Sequence, residues 1–199
     1  MSFAIFSDSS CNLPKAQLEE FQVQIISSSY EREGKLITCT PYPADFDGHE
    51  YYNFLRNKGV VKTSLIPAAQ MEDAFRPVLA AGEDVLYITL SSGISGTVAS
   101  GLQAAQALME EFPQRQVRVL DSMGAGFGIG LLLGRASDDR KAGLNLDQTY
   151  ASLERDRDNL CEFFTVDDLM FLRRTGRLSG VTAKLGTMLL AITENGYGK

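Results

Sequence analysis

Short apolar runs alternate along this chain with longer stretches in which apolar residues recur at helical spacing. The clearest runs are Phe3–Phe6, Val85–Leu90 and Val117–Leu120, and a stretch with helical periodicity follows each of them. This alternation is typical of domains in which helices connect the strands of a mostly parallel sheet. The pattern therefore predicts an α/β fold.

Proline, glycine and capping residues set the bounds of the other predicted elements. Proline opens two helices, from Pro14 through Phe21 and from Pro67 to Ala81. The remaining predicted elements, in chain order, are strands at Val23–Ile26 and Leu36–Thr40 that flank a hairpin at Glu33-Gly34, a helix at Phe46–Asn57, a helix from about Thr97 to about Phe112, a glycine-spaced helix after Asp121-Ser122, a helix at Leu146–Leu160 capped by Asn145, a strand at Phe163–Val166 and a helix at Leu169–Arg174.

Composition and charge remove several classes of function. The 199 residues carry 19 Lys+Arg against 25 Asp+Glu, a net charge of −6 without a basic run, which argues against nucleic acid and acidic lipid as partners. One histidine, His49, and three cysteines without C-x-x-C spacing argue against a structural zinc. We see no signal peptide, and the longest weakly polar run, Met123–Leu133, falls short of the roughly 20 residues that span a bilayer. We therefore expect a cytoplasmic protein without stable membrane insertion.

Hydroxyl side chains recur where the predicted strands end. They are Ser9-Ser10, Thr63-Ser64, Ser91-Ser92 with Ser95 just beyond, and Ser122. In an open parallel sheet, ligands bind outside the carboxyl ends of the strands. The alternative is that serine and threonine follow strands because they cap helices and form turns.

The loop from Ser91 to Thr97 is the sharpest candidate for a binding site. Gly93 and Gly96 let the backbone approach a ligand closely, and a helix begins at about Thr97, so its positive end faces the loop. Since the loop contains no Lys or Arg, a single negative charge such as a carboxylate fits better than a triphosphate. A catalytic role for Ser95 has little support, because Gly93-Ile94-Ser95-Gly96 is not G-x-S-x-G and only His49 could act as base.

Two other segments leave alternatives open. Asp8 follows the first strand, as the nucleophile of some phosphatases does, but Ser10 stands where their second aspartate belongs, so Asp8 is favoured as an acceptor that fixes the turn. Glycines at 126, 130 and 134 share one face of a predicted helix, although the dinucleotide fingerprint G-x-G-x-x-G fails. That face favours tight packing, and a ligand tail lying along it is the alternative.

Taken together, these motifs resemble the DegV family of fatty acid-binding proteins. The resemblance runs along nearly the whole chain and is carried by Phe6-Ser7-Asp8-Ser9-Ser10 with Leu13-Pro14, Lys62-Thr63-Ser64 with Pro67, Leu90-Ser91-Ser92-Gly93-Ile94-Ser95-Gly96-Thr97, Asp121-Ser122, Val166-Asp167-Asp168-Leu169, Leu172-Arg173-Arg174-Thr175-Gly176-Arg177-Leu178-Ser179 and Leu185-Gly186.

The family resemblance implies two α/β domains with a fatty acid buried between them. It places an N-terminal domain at 1–160 and the beginning of a second domain, truncated or altered, at 161–199. It also implies that hydroxyls of Thr63, with Ser64 adjacent, and of Ser95 hold the fatty acid carboxylate.

We further expect Ser92, Gly93 and Arg174 at the carboxylate, and Gly126 and Gly130 near the acyl chain. The resemblance implies a carrier without a catalytic residue, metal or cofactor, which presents its long-chain fatty acid to a fatty acid kinase for acyl-phosphate formation. The competing hypothesis is a phosphatase or hydrolase that uses Asp8 or Ser95.

Overall fold

A computed structural model describes residues 3–163 together with residues 165 and 176. The chain divides into two compact units, Met1–Cys161 and Glu162–Lys199, and the first is described below. The predicted helix Leu169–Arg174, and with it the site residue Arg174, lies outside the described residues, as does half of the predicted strand Phe163–Val166.

The first unit alternates strands and helices along most of its length. In chain order it contains β1 (Phe3–Asp8), α1 (Lys15–Phe21), β2 (Val23–Ile26), β3 (Ser29–Arg32), β4 (Lys35–Thr38), α2 (Gly48–Arg56), β5 (Val61–Ser64), α3 (Ala68–Ala80), β6 (Asp84–Thr89), α4 (Thr97–Glu111), β7 (Val117–Asp121), α5 (Phe127–Lys141) and α6 (Leu146–Arg157).

Four of these strands form a parallel sheet in the order β2-β1-β6-β7. The core lies on both faces of this sheet. Phe3 and Ile5 of β1 pack in the layer that contains α5 and α6, whereas Ala4 and Phe6 pack in the layer that contains α3 and α4. Strands buried on both faces are apolar throughout, which explains the short apolar runs in the sequence. The predicted α/β fold is therefore confirmed.

The hairpin differs from the prediction. Val23–Ile26 does not flank it but pairs with β1 in the parallel sheet. The partner of β4 is β3, whose sequence Ser-Tyr-Glu-Arg contains too little apolar character to signal a strand. Contacts outside the hairpin stabilise β3: the rings of Tyr30 and Tyr51 meet edge to face at 5.5 Å, and Arg32 donates two hydrogen bonds to Glu50 at 2.8 and 2.6 Å.

A second correction concerns β5, which carries Thr63 and Ser64. The sequence predicts that these residues end a strand of the parallel sheet, but β5 pairs antiparallel with β3 in a separate sheet of order β4-β3-β5. The small sheet is inserted between β2 and α3. Thr63 can therefore act at a site of the parallel sheet only if the small sheet lies close to the loops that follow the parallel strands.

Capping residues determine where two of the helices begin, and Asn145 is the cap that the sequence predicts. Asn145 and Gln148 form a reciprocal capping box at the start of α6. Asp47 accepts a hydrogen bond from the Glu50 amide, so α2 begins at Gly48 and not at Phe46. Among the described residues, no helix combines the length and the apolar character needed to cross a membrane.

Arg140, on α5, is expected to contribute strongly to the stability of this unit. Its guanidinium donates to the carbonyl oxygens of Phe21 at 2.8 Å and Phe3 at 3.4 Å, which ties α5 to the end of α1 and the start of β1. Hydrogen bonds from a charged group contribute about 1.5–3 kcal/mol each, so Arg140→Ala should lower the free energy of unfolding by at least ~2 kcal/mol. Urea unfolding measures the change. Lys141→Ala, at the exposed neighbouring position, is the matched control, and equal midpoints for the two variants would contradict this role.

Candidate functional site

The strand order creates a crevice at one point of the parallel sheet. From β1 the chain passes to β2 on one side, and it later forms β6 and β7 on the other side. The loops after β1 and β6 therefore diverge, and such a switch point is where open α/β sheets bind ligands. Asp8 and Thr89 are the last residues of these two strands.

Asp8 is a buried carboxylate whose two oxygens both accept hydrogen bonds from the protein. Oδ1 accepts from the backbone and the hydroxyl of Ser10, and Oδ2 accepts from the hydroxyls of Tyr87 at 3.2 Å and Thr89 at 2.5 Å. Burial, followed by the Asp8 charge, raises the pKa of Tyr87 well above its usual range, so its hydroxyl remains a donor. This arrangement is that of an acceptor that fixes the strand end, and it disfavours Asp8 as a nucleophile.

The loop from Ser91 to Gly96 is a tight turn that leads into α4. The carbonyl of Ser91 accepts from the amides of Ile94 and Ser95, both at 3.1 Å, and its hydroxyl accepts from Gly93 at 3.2 Å. Ser92, Gly93 and Ile94 are exposed at the tip. The Gly93 amide is thus used within the turn, whereas the tip itself faces solvent.

Ser95 places a hydroxyl at the amino end of α4. Its Oγ accepts from the Thr97 amide at 3.2 Å and lies 2.8 Å from the Thr97 hydroxyl. The next two amides, of Val98 and Ala99, have no acceptor among residues 3–163. A hydroxyl and free helix amides at one point suit an anion. His49 is exposed on α2 and bonds Asn53 at 3.0 Å, so the described residues show no base beside Ser95.

The small antiparallel sheet approaches this loop through Leu65, the residue that follows β5. A Cβ on Gly96 would lie 3.1 Å from Cδ2 of Leu65, so the absence of a side chain at Gly96 allows this contact. Gly96 therefore serves a close protein contact. Because Leu65 follows Thr63 and Ser64 directly and Gly96 follows Ser95, the structure brings these predicted carboxylate-binding segments together.

Thr63 and Ser64 project from opposite faces of the small sheet. Both are exposed. Thr63 pairs with Tyr30 and Ser64 pairs with Ser29, and neighbouring residues of a strand point to opposite sides. Only one of the two hydroxyls can therefore face a given ligand from this strand.

Backbone hydrogen bonds join the loops after the parallel strands to one another. The Ser91 amide donates to the Gly124 carbonyl at 3.0 Å, and the Gly126 amide donates to the Ser10 carbonyl at 3.2 Å. Gly126 has φ +51° at the residue before α5, a conformation that strains other residues. The hydroxyl of Ser122 donates to Gly124 at 3.1 Å. Some of the strand-end hydroxyls therefore do form turns, as the alternative interpretation of the sequence holds.

The glycine face of α5 is packed by protein side chains. A Cβ on Gly130 would lie 2.7 Å from Cδ2 of Leu13, and one on Gly134 would lie 3.3 Å from the Phe21 ring. The close approach expected from these glycines is thus made by α1 and the residues before it. The predicted positions of Gly126 and Gly130 near an acyl chain remain a prediction.

Exposed apolar side chains come from the same loops. Leu65, Ile94, Met123 and Phe127 have 47%, 43%, 63% and 78% of their surface exposed. Leu65 contacts Gly96, and Ile94 belongs to the same loop as Gly96. Met123 and Phe127 are next to Gly124 and Gly126, whose backbones bond the loops after β6 and β1. We call these four residues the apolar rim.

The hydroxyls, the loop tip and the helix amides form a polar centre without a metal cluster. Within residues 3–163 no group of His, Cys, Asp and Glu is arranged to hold a metal ion. The parallel sheet, its switch point and the serine-glycine loop at the start of α4 define an α/β domain of the class that binds ligands at the carboxyl ends of its strands. The comparisons with known proteins identify the family.

The chain belongs to the DegV family. A family model described as uncharacterised protein, DegV family, matches residues 2–192. A DegV domain-containing protein of Clostridium perfringens is 32% identical over an alignment of 191 residues, which covers 94% of this chain and 64% of that protein. The chain therefore spans about two thirds of the length of this relative.

Two solved structures share the fold. One, a DegV family protein from Thermus thermophilus described as fatty acid binding, is 30% identical with a TM-score of 0.80 over 95% of this chain and 65% of its own. The other, a stearic acid-binding protein from Eubacterium ventriosum, is 28% identical with a TM-score of 0.77 over 90% of this chain and 61% of its own.

Proposed function

We propose that this chain binds a long-chain fatty acid, with the carboxylate at the loop from Ser91 to Gly96. The observation that carries this proposal is the meeting of three features: the Ser95 hydroxyl at the amino end of α4, the Thr63 segment held against Gly96 by Leu65, and the apolar rim. The described structures of the relatives from Thermus thermophilus and Eubacterium ventriosum, named for fatty acid and stearic acid binding, support it.

The carboxylate is proposed to accept hydrogen bonds from neutral donors. Ser95 and Thr63 supply hydroxyls, Ser64 or Ser92 a further one, and the exposed tip at Gly93 allows the head group to approach the backbone. Neutral donors hold a carboxylate without the desolvation of a buried ion pair. In addition to these neutral donors, Arg174 is proposed to supply a cation at the carboxylate.

The acyl chain supplies most of the affinity in this proposal. Transfer from water contributes about 0.8 kcal/mol per buried CH₂, so a chain of about sixteen carbons needs only a few hydrogen bonds at its head for orientation. The apolar rim is proposed to provide the first contacts next to the head group, and Gly126 and Gly130 remain proposed neighbours of the acyl chain. The rest of the tail is proposed to be covered by a second domain that begins near residue 161.

The wider role is proposed from the same site. A protein that binds fatty acid through neutral donors can present the carboxylate to a second protein, and we propose a fatty acid kinase that forms an acyl phosphate as that partner. In this role the chain is a carrier in the cytoplasm, with the fatty acid as ligand and no cofactor.

Identification of the co-purifying ligand tests the proposal. Native mass spectrometry of the purified chain is expected to show one fatty acid per chain, and lipid extraction should identify it. Delipidated protein should take up added palmitate or oleate in the same ratio. A chain that purifies without lipid and ignores both additions would refute the proposal.

A further inference from the structure

Asp121, the last residue of β7, contacts the candidate site without belonging to its proposed donors. Its Oδ1 accepts from the Ser92 amide at 3.2 Å and from the Met123 amide at 3.0 Å. One carboxylate thus binds both the turn that precedes Ser95 and the loop after β7.

Arg157, at the end of α6, also contacts Asp121. Its Nη1 donates to the backbone carbonyl of Asp121 at 2.9 Å. Burial tends to raise the pKa of Asp121, but the hydrogen bonds from Ser92 and Met123 and the Arg157 charge outweigh it, and the pKa lies below its usual value. Asp121 is therefore anionic at neutral pH, where charge-assisted hydrogen bonds are strong.

Because Ser92, Gly93 and Ile94 are exposed, packing does little to hold their turn in place relative to the sheet. The hydrogen bonds to Ser91 close the turn on itself, but they do not fix its position relative to the sheet. Two hydrogen bonds connect the turn to the end of β7 and the loop after it: the Asp121 side chain accepts from the Ser92 amide, and the Gly124 carbonyl accepts from the Ser91 amide. Among the described residues, removal of the carboxylate leaves one hydrogen bond between the turn and the loop after β7, from the Ser91 amide to the Gly124 carbonyl.

We propose that Asp121 is a positioning residue for head-group recognition, which holds Ser92 so that the turn presents the Ser95 hydroxyl to a carboxylate. This rests on the proposed function, because it assigns the head group of a fatty acid to this loop. Asp121 does not touch the ligand, and its charge repels a carboxylate, so its contribution comes through the geometry of the turn. Its removal should therefore affect ligands with a carboxylate more than ligands without one.

Palmitate and 1-hexadecanol separate these two effects, because they share an alkyl chain and differ in the head group. In the 199-residue chain, Asp121→Ala should weaken palmitate binding by about tenfold, as expected for lost hydrogen-bond geometry at a charged group, and hexadecanol binding by less than about threefold. Asp121→Asn keeps an acceptor oxygen and should restore part of the difference. Calorimetry or displacement of a fluorescent fatty acid measures both affinities.

Asp147→Ala is the matched control, since it removes a carboxylate that contacts the same strand, β7, through Arg118 at 2.6 Å. It should leave the palmitate-to-hexadecanol ratio unchanged. A general loss of stability would instead weaken both ligands equally in Asp121→Ala.

Amide hydrogen exchange at Ser92 tests the positioning contact without any ligand. Exchange should accelerate in Asp121→Ala and remain unchanged in Asp147→Ala. The positioning role would be overturned by unchanged exchange at Ser92 in Asp121→Ala. It would also be overturned by an unchanged palmitate-to-hexadecanol affinity ratio, where the wild-type chain binds palmitate more tightly than hexadecanol. Should Asp121→Ala not fold, the same measurements on Asp121→Asn decide. A wild-type chain that binds neither ligand would refute the proposed function and with it the ligand part of this proposal, whereas the exchange result would still report on the contact.

Discussion

Replacing Thr63 and Ser95 together by alanine is expected to weaken palmitate binding by at least about thirtyfold. Each hydroxyl that bonds a charged group contributes about 1–3 kcal/mol, a factor between about five and 150. The structure adds that Thr63 lies on β5 and Ser95 in the loop before α4, and that the contact of Leu65 with Gly96 brings these two segments together. Isothermal titration of delipidated protein measures the effect, with each single variant beside the double variant.

The controls for this experiment follow from the geometry. Thr38→Ala removes an exposed threonine of the same small sheet on the face opposite Thr63, because Thr38 pairs with Ser29 whereas Thr63 pairs with Tyr30. Ser95→Ala also removes the acceptor for the Thr97 amide, so the unfolding temperature must be measured in parallel. Full affinity in the double variant would show that the carboxylate is held elsewhere.

Asp8→Ala is expected to cause a large loss of stability. It leaves the hydroxyls of Tyr87 and Thr89 buried without their acceptor, and each such group costs about 1–3 kcal/mol in addition to the lost charge-assisted bonds. The free energy of unfolding should therefore fall by at least ~3 kcal/mol, which corresponds to a decrease of roughly 10 °C in the unfolding temperature of a domain of this size. Calorimetry or circular dichroism measures the decrease.

The same variant addresses the competing hydrolase hypothesis. Asp147→Ala removes an exposed carboxylate and serves as the control for stability. We expect no turnover of p-nitrophenyl phosphate by the wild-type chain. Turnover that disappears in Asp8→Asn while the unfolding temperature is retained would contradict the structural role and favour a phosphatase.

The fold was predictable wherever local pattern and tertiary environment agree. The apolar runs at β1, β6 and β7 are buried on both faces, and Asn145 caps its helix through a local hydrogen bond. The β3 strand escaped prediction because its stabilising partners, Tyr51 and Glu50, come from a helix that is distant in sequence. Long-range contacts of this kind leave no periodic signal within four residues.

The candidate site was predictable in its residue types but not in its connections. The loop from Ser91 to Thr97 stands out through its glycines and hydroxyls. The contact of Asp121 with Ser92 does not stand out in the sequence. The signal that could have indicated this contact is a carboxylate at the end of the neighbouring parallel strand. Likewise, nothing in the sequence shows that Leu65 packs on Gly96.

The sequence alone is enough to establish the α/β class, the order of most helices and strands, the serine-glycine loop before α4 and the motifs shared with the DegV family, because each element or motif consists of residues close together in the chain. The tertiary structure was needed to show that β2 joins the parallel sheet, that Thr63 and Ser64 belong to an antiparallel insertion, and that Asp8 accepts hydrogen bonds from Tyr87 and Thr89. These outcomes depend on strand pairing and side-chain contacts between segments far apart in sequence, which burial and hydrogen bonding select and local periodicity does not encode.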